Sequence, residues 1–363
     1  MTTAYERNLA LTRLVEAEGI ARVDPPMLLE ANPYFELAGE DFGRSLMLSL
    51  GNDGAEYCLR PEFTIPIVAQ YVKQGLSGAP AAYSYMGPVF RQNGTGPTEY
   101  VQAGVELLGQ TDPEHALDEV LTFARRALAV YGVTAPAIRL GGVALFEAIL
   151  GSADMPEAWR PRLRHRFGHP DAMARLLDRL AAAEAAPAEI SIEPSGQAAL
   201  VDYVTEQMLA AGFNPELGRR PEEVAARYSE KLALAAAHVP PGTVDLLRLY
   251  LSVDAPAGAA FAEIEALGTH YGFDLAAPLA TLRRHATTLA ALAPEAEIRF
   301  DASFSPRLDY YTGIVFEMLS GQGTVLASGG QYDRLLQRLG ASVPVPAAGC
   351  AVWVSRLEQE FGR

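Results

Sequence analysis

The sequence predicts an α+β fold: an antiparallel sheet flanked by helices and divided by a mostly helical insertion. Alternating apolar and polar residues predict strands at 45–50, 55–60, 81–90 and 99–108, and again after 296. Residues 133–295 are instead rich in alanine and leucine at helical spacing, with a short strand signal near 138. We therefore expect 1–132 and 296–363 to form two parts of one sheet domain, with 133–295 as the insertion and connecting region.

Each element follows from a local pattern. An amphipathic helix is predicted over 4–19, where Gly19 ends it, and Pro61 is expected to open another. A helix over 113–131 begins at Asp112 or Pro113. The other predicted helices are 171–186, 198–211, 221–237, 243–252, 259–271, 277–292 and roughly 347–361. The predicted strands are 45–50, 55–60, 81–90 and 99–108, followed by a three-stranded meander at 297–304, 310–319 and 324–330.

Composition excludes several classes of protein. The 363 residues suffice for about two domains and a core without disulfides. With 44 acidic and 29 basic residues, the formal charge of −15 argues against a general nucleic-acid surface. Cys58 and Cys350 are too few for a disulfide framework or a thiolate metal site. No stretch has the roughly 18 apolar residues of a membrane span or the core of a signal peptide. We expect a soluble cytoplasmic protein without a metal or cofactor.

The segment LRPEFT, residues 59–64, places Glu62 and Thr64 at a strand-to-helix junction. A carboxylate and a hydroxyl there are candidates for ligand binding. The alternative is an ordinary helix N-terminus, with Pro61 in the first turn and Glu62 beside the positive end of the helix dipole. Taken alone, this segment favours the ordinary helix start.

Three further clusters carry polar residues in or beside predicted strands. In the segment EYVQAGVE, residues 99–106, alternation places Gln102, Gly104 and Glu106 on one face of a strand. Buried polar groups need partners, so this face is unusual for a strand that packs against a core. The clusters are Phe90–Arg91, EYVQAGVE at 99–106, and RLDYYTGIVFE at 307–317 together with SGGQYD at 328–333.

Together the four clusters resemble the catalytic domain of histidyl-tRNA synthetases. The matches occur in the family's order and extend from the first helix to the last. This resemblance implies the class II aminoacyl-tRNA synthetase fold and a pocket for histidine. In that family a glutamate and a tyrosine hold the imidazole, and the matching residues are Glu106 and Tyr311, with Tyr310 beside it. A carboxylate and a phenol suit an imidazole because its ring both donates and accepts hydrogen bonds.

The resemblance also implies how the rest of the amino acid is held. The α-amino group meets the residues that match Glu62, Thr64 and Gln102, through charge-assisted hydrogen bonds. Arg91 matches the arginine that holds the substrate carboxylate and the α-phosphate. A second interpretation stays open: these residues hydrogen-bond one another and serve only as scaffold.

The ATP side of the site departs from the family pattern. Pro306 replaces the catalytic arginine, and Arg307 is displaced by one position, which in a strand points to the other face. Trp353 replaces a glycine and is expected to fill the nucleotide's space. The other departures are Asn93 for the glutamate that holds adenine, Gln331 for an arginine, and Ser355 for the acid beside Arg356. No segment after Leu357 matches the anticodon-binding domain.

With these departures, the chain is similar to the synthetase paralogues that serve as regulatory subunits of ATP phosphoribosyltransferase. The resemblance implies a non-catalytic protein that activates the short catalytic subunit and mediates histidine feedback in the first step of histidine biosynthesis. It also implies dimers, here expected through residues 23–37, within a hetero-octamer. Whether histidine binds in the synthetase-like pocket or at a subunit interface stays open.

Two alternatives have different functions. The first is a truncated enzyme that adenylates histidine, which would keep the acid–arginine pair and the catalytic arginine. The second is a remnant that senses tRNA, against which the charge of −15 weighs.

Overall fold

The computed structural model describes residues 3–37, 40–76, 78–92, 96–182, 196–214, 220–236, 239–306 and 310–362. The interpretations that concern Asn93 and Arg307 lie outside these described residues. The strands are β1 (Ala21–Arg22), β2 (Leu28–Glu30), β3 (Leu48–Leu50), β4 (Glu56–Leu59), β5 (Ala81–Phe90), β6 (Glu99–Leu108), β7 (Ala137–Gly142), β8 (Asp254–Pro256), β9 (Ile298–Asp301), β10 (Ile314–Leu319), β11 (Val325–Gln331) and β12 (Ala347–Trp353).

The helices surround these strands in chain order. They are α1 (Ala4–Val15), α2 (Asn32–Leu37), α3 (Glu40–Gly43), α4 (Thr64–Lys73), α5 (Pro113–Val130), α6 (Val143–Ser152), α7 (Arg160–Arg166), α8 (Pro170–Ala182), α9 (Gln197–Ala210), α10 (Pro221–Ala236), α11 (Pro241–Leu251), α12 (Ala257–Tyr271), α13 (Ala276–Leu292), α14 (Asp333–Arg338) and α15 (Val354–Phe361). Among the helices formed by described residues, none is both long and apolar enough to cross a bilayer.

Within the described residues, nine strands form one sheet in the order β1-β5-β6-β12-β11-β10-β7-β9-β8. The six strands from β5 to β7 in this order pair antiparallel throughout. Parallel pairing joins only β1 to β5 and β7 to β9. A smaller sheet has the order β2-β4-β3. The predicted class, an antiparallel sheet flanked by helices, is therefore confirmed.

The predicted three-stranded meander after residue 296 is wrong in one respect. Strand β10 does pair with β11, but β9 does not lie beside β10. Strand β7 lies between them, antiparallel to β10 and parallel to β9. Alternation along a strand indicates which residues share a face, but it carries no information about which strand lies alongside.

The predicted helix over 347–361 is also wrong in its first half. Residues 347–353 form β12, and the helix begins only at Val354. β12 lies between β11 and β6 and is buried on both faces, so its sequence AAGCAVW shows no alternation. A strand buried on both faces is an apolar run that periodicity cannot distinguish from a buried helix.

Helix α5 illustrates a start that local chemistry determines. The Asp112 side chain accepts hydrogen bonds from the backbone N–H groups of Glu114 and His115, at 3.1 and 3.0 Å. Pro113 follows at the first helical position, where the missing N–H costs nothing. The predicted helix start is confirmed, and the apolar face of α5 packs beside β12 and β6.

The chain forms two compact units. The first comprises Met1–Gly151 and Tyr250–Arg363, and the second comprises Ser152–Leu249. The sheets, α12 and α13 belong to the first unit, whereas α7 to α10 belong to the second. All residues of the site described below lie in the first unit.

Candidate functional site

A cavity of about 440 Å³ lies in the first unit, and we call it the central cavity. Its wall comes from the start of α4, strands β5, β6 and β10 to β12, and the residues just before β10. Six of the seven residues predicted for the histidine pocket line it: Glu62, Thr64, Arg91, Gln102, Tyr310 and Tyr311. The seventh, Glu106, lies behind this wall in contact with Thr64.

Glu62 forms the turn that begins α4. Its carboxylate accepts the backbone N–H of Thr64 at 2.6 Å and that of Ile65 at 3.1 Å. The helix therefore starts at Thr64, and the prediction that Pro61 opens it is wrong because the Glu62 carboxylate satisfies the first free N–H groups. Burial raises the pKa of Glu62 to about 7, although these hydrogen bonds and nearby Arg91 act in the opposite direction.

Gln102, Gly104 and Glu106 share one face of β6, as alternation predicts. Glu106 is 1% exposed and accepts hydrogen bonds from the Thr64 hydroxyl at 2.7 Å and from the Tyr332 hydroxyl. Burial, with a smaller contribution from the charge of Glu62, raises the pKa of Glu106 to about 8, against the effect of the Tyr332, Thr64 and Tyr85 hydroxyl groups. Glu106 is thus a buried carboxyl group whose partners Thr64 and Tyr332 line the central cavity.

Two glycines give these groups room. A Cβ atom at Gly349 would lie 1.7 Å from the Glu106 Oε2 atom, and one at Gly104 would lie 2.3 Å from the Tyr85 hydroxyl oxygen. Both distances are far inside van der Waals contact. Tyr85 donates a hydrogen bond to the Cys350 carbonyl at 3.1 Å. Glycine at 104 and 349 therefore allows polar side chains to pack between strands.

Gln102 differs from the carboxyl groups because its amide oxygen has no hydrogen-bond partner among the described residues. The side chain is 1% exposed and lines the central cavity. No described residue offers a hydrogen bond to its Oε1 atom. A buried polar atom without a partner costs about 1–3 kcal/mol, and such atoms in native proteins are rare. Gln102 is therefore placed for a ligand to satisfy it.

Tyrosines line the central cavity together with Gln102. The rings of Tyr310 and Tyr311 have centroids 5.0 Å apart, and Tyr332 lies 5.8 Å from Tyr310. Burial raises the pKa of Tyr332 well above its usual value, so its hydroxyl stays a hydrogen-bond donor. The sequence prediction assigned no role to Tyr332 or Tyr85. The signal for Tyr332 was the SGGQYD segment, in which it is the only aromatic residue.

Arginine and aromatic side chains also line the central cavity. The Arg91 guanidinium lies 4.8 Å from the Phe42 ring and 4.9 Å from the Trp353 ring. Its Nε atom donates to the Pro61 carbonyl at 2.8 Å. Arg356 lies 4.0 Å from the Trp353 ring, which is 6% exposed. Cation–π contacts on Trp353 thus keep an indole where the synthetase pattern has a glycine.

The other residues that depart from the synthetase pattern have structural partners. Ser355 accepts the backbone N–H of Val101 at 2.7 Å, and the Gln331 Oε1 atom accepts that of Ile314 at 3.1 Å. Pro306 lines the central cavity. Across the ranges described above, no group of three or more His, Cys, Asp or Glu side chains is close enough to hold a metal ion.

Comparison with known proteins identifies the family of the chain. The family model described as histidyl-tRNA synthetase matches residues 3–357. The ATP phosphoribosyltransferase regulatory subunit of Allorhizobium ampelinum is 37% identical over 353 residues, covering 94% of both chains. The protein of the same name from Brucella melitensis is 35% identical over 376 residues, covering 100% of this chain and 99% of that one.

Solved structures show the same fold at lower identity. A regulatory subunit/histidyl-tRNA synthetase from Bacillus halodurans has a TM-score of 0.65 at 21% identity, covering 98% of this chain and 78% of that one. A histidine–tRNA ligase subunit from Alicyclobacillus acidocaldarius has a TM-score of 0.56 at 21% identity, covering 98% and 92%.

Fold and family match together define a class II aminoacyl-tRNA synthetase-like protein. More narrowly, the chain belongs to the histidyl-tRNA synthetase family, in its branch of ATP phosphoribosyltransferase regulatory subunits.

Proposed function

We propose that this chain is the regulatory subunit of an ATP phosphoribosyltransferase and that it senses L-histidine in the central cavity. It activates the short catalytic subunit, transmits histidine feedback in the first step of histidine biosynthesis, and carries out no synthetase chemistry of its own. Relatives at 35–37% identity over nearly the whole chain bear the regulatory name, which supports this role.

The observation that carries the proposal is an asymmetry within one cavity. On the amino-acid side, Glu62, Gln102 and Arg91 converge on the same space, as binding an ammonium and a carboxylate requires. On the nucleotide side, the Trp353 indole occupies the wall beneath Arg356. Adenylation needs preorganised cations on the developing phosphate charge, yet Pro306 stands in place of the catalytic arginine. The cavity therefore suits an amino acid and not its adenylate.

Gln102 also bears on the scaffold interpretation. A purely structural network would satisfy its own members, as Thr64 and Tyr332 do for Glu106. The free Oε1 atom of Gln102 does not fit that expectation, and it supports a ligand. Glu106 is proposed to bind the imidazole once Thr64 or Tyr332 gives up its hydrogen bond.

Co-expression with the short catalytic subunit tests the regulatory role. The two chains should copurify, transferase activity should depend on this chain, and L-histidine should inhibit the complex. A catalytic subunit that is fully active alone and does not bind this chain would contradict the proposal.

A second experiment tests the truncated-synthetase alternative. Histidine-dependent exchange between ATP and pyrophosphate should not exceed that of a mock-purified control. Robust exchange would overturn the regulatory role. Calorimetry of the isolated chain with millimolar L-histidine tests the pocket separately, because absence of binding would place the inhibitor site elsewhere in the complex.

Self-association is the remaining part of the proposal. Within the segment 23–37, Met27, Leu28 and Phe35 are 50%, 53% and 41% exposed. Leu48 and Leu50 of the same small sheet are 50% and 73% exposed. Apolar side chains grouped in this way favour a contact surface. We propose that it forms the dimer within the hetero-octamer, and the cytoplasmic location stays a prediction.

A further inference from the structure

The two carboxyl groups of the site are connected through a single residue. Thr64 donates its backbone N–H to Glu62 at 2.6 Å and its hydroxyl to Glu106 at 2.7 Å. Glu62 is 4% exposed and Glu106 is 1% exposed. Water therefore stabilises each charge only weakly, and the charge of Glu62 raises the pKa of Glu106 further.

The groups around this pair supply too little positive charge to neutralise it. Arg91 is the cation that acts on Glu62 among the described residues. The other charged side chains nearby already have partners. Arg60 pairs with Asp24, Glu317 pairs with Arg139, and Arg356 stacks on the Trp353 ring. The other titratable groups that face the pair are neutral near pH 7: Tyr34 of α2, Cys58 of β4, Tyr85 of β5, Tyr310 and Tyr311 before β10, Tyr332 before α14, and Cys350 of β12.

Two ionised carboxylates beside one guanidinium would leave a net charge of −1 on side chains that are at most 4% exposed. Buried charges persist only when they are paired. An amino-acid ligand brings an ammonium group to this side of the cavity, and that group can supply the missing positive charge in place of a proton.

We infer that the ligand-free protein keeps one proton on the Glu62–Glu106 pair near neutral pH, and that the ammonium group of an incoming amino acid replaces it. The O–H bond of the protonated carboxyl group in this pair breaks, and its proton passes to the buffer. The ammonium group then donates N–H···O hydrogen bonds to the ionised pair. Each binding event then releases one proton. The inference rests on the proposed function, because it concerns how the same cavity responds to its ligand.

This exchange makes feedback sensitive to pH. The raised pKa values of Glu62, about 7, and Glu106, about 8, place the retained proton in the physiological range, and the pair titrates as a unit. By linkage, the affinity for the ligand rises with pH by up to about tenfold per pH unit while the proton is present. It levels off once the pair is ionised.

Calorimetry of the full chain with L-histidine at pH 7.5, in phosphate and in Tris, tests the inference. The imidazole of free histidine, with a pKa of about 6.5, is mostly neutral there. The two buffers differ in ionisation enthalpy, so the difference between the observed heats gives the number of protons released. We expect about one. Equal heats in the two buffers would overturn proton exchange while leaving histidine binding intact.

Two variants identify the source of the proton. Glu106→Gln should bind more weakly and release well under one proton, because at pH 7.5 Glu62, with a pKa of about 7, is already mostly ionised. Glu317→Gln is the matched control. It removes a carboxylate from the wall of the same cavity, but Arg139, at 2.5 Å, already neutralises that carboxylate. It should release as many protons as the wild type.

Full release by Glu106→Gln would refute the assignment to this pair. The absence of binding in the wild type, checked by equilibrium dialysis, would overturn the proposed pocket and this inference together. The wild-type measurement decides the question even if a variant fails to fold.

Discussion

Replacing Glu106 with glutamine should remove part of the pH dependence of the protein's stability. In the unfolded chain this carboxyl group ionises near 4.5, whereas burial raises its pKa in the folded protein to about 8. Between these two pH values the folded state binds more protons than the unfolded state. The free energy of unfolding therefore falls as pH rises from about 4.5 to about 8, and the loss is complete above that range.

The magnitude follows from the same numbers. One retained proton is worth about 1.4 kcal/mol per pH unit, so the stability lost between pH 5 and pH 8 is at most about 4 kcal/mol. Because Glu62 and Glu106 titrate as a pair, part of this loss of stability belongs to Glu62. We expect the part that depends on Glu106 to be about 2 to 4 kcal/mol. Glutamine has nearly the same shape and can still accept from Tyr332. The variant should match the wild type within about 1 kcal/mol at pH 5 and exceed it at pH 8.

Urea denaturation followed by tryptophan fluorescence measures this effect. The chain has two tryptophans, of which Trp159 lies in the second unit and Trp353 in the first. Trp159→Phe in every protein compared makes the signal report on the unit that contains the site. Glu317→Gln should shift the stability equally at each pH. An unchanged gap between Glu106→Gln and the wild type from pH 5 to pH 8 would refute the reasoning.

Three further predictions concern other parts of the molecule. Gln102→Leu should raise the melting temperature of the first unit, because it removes an unsatisfied buried oxygen, yet weaken histidine binding about ten- to a hundredfold in calorimetry; lower stability with unchanged affinity would contradict this. Gly349→Ala should destabilise by about 1 to 3 kcal/mol in urea, since its Cβ would meet the buried carboxylate at 1.7 Å, whereas Gly151→Ala, with nothing within 4 Å, should have little effect. Leu28→Asp should raise the dimer dissociation constant at least about a hundredfold in light scattering, because a twofold interface would carry the buried charge twice. Leu209→Asp, 59% exposed on α9, is its matched control, and equal masses for the two variants would argue against this dimer surface.

Local features of the sequence determined several parts of the structure. The two-residue period of β6 places Gln102 and Glu106 on one face, because side-chain direction in a strand depends only on position along it. Asp112 and Pro113 determined the start of α5, since a cap involves residues two or three positions apart. The ordered motifs were also sufficient for the family, and hence for the class of fold.

Tertiary structure decided what depends on residues far apart in the chain. Tyr332 donates a hydrogen bond to Glu106, which lies 226 residues away in the sequence, and no local pattern predicts that partner. The position of β7 between β10 and β9, and the formation of a strand over 347–353, likewise depend on which strands lie alongside. The physical reason is the same in each case. Strand pairing and burial bring distant segments together. That burial raises the pKa values of Glu62 and Glu106, and it leaves the Gln102 oxygen without a partner among the described residues.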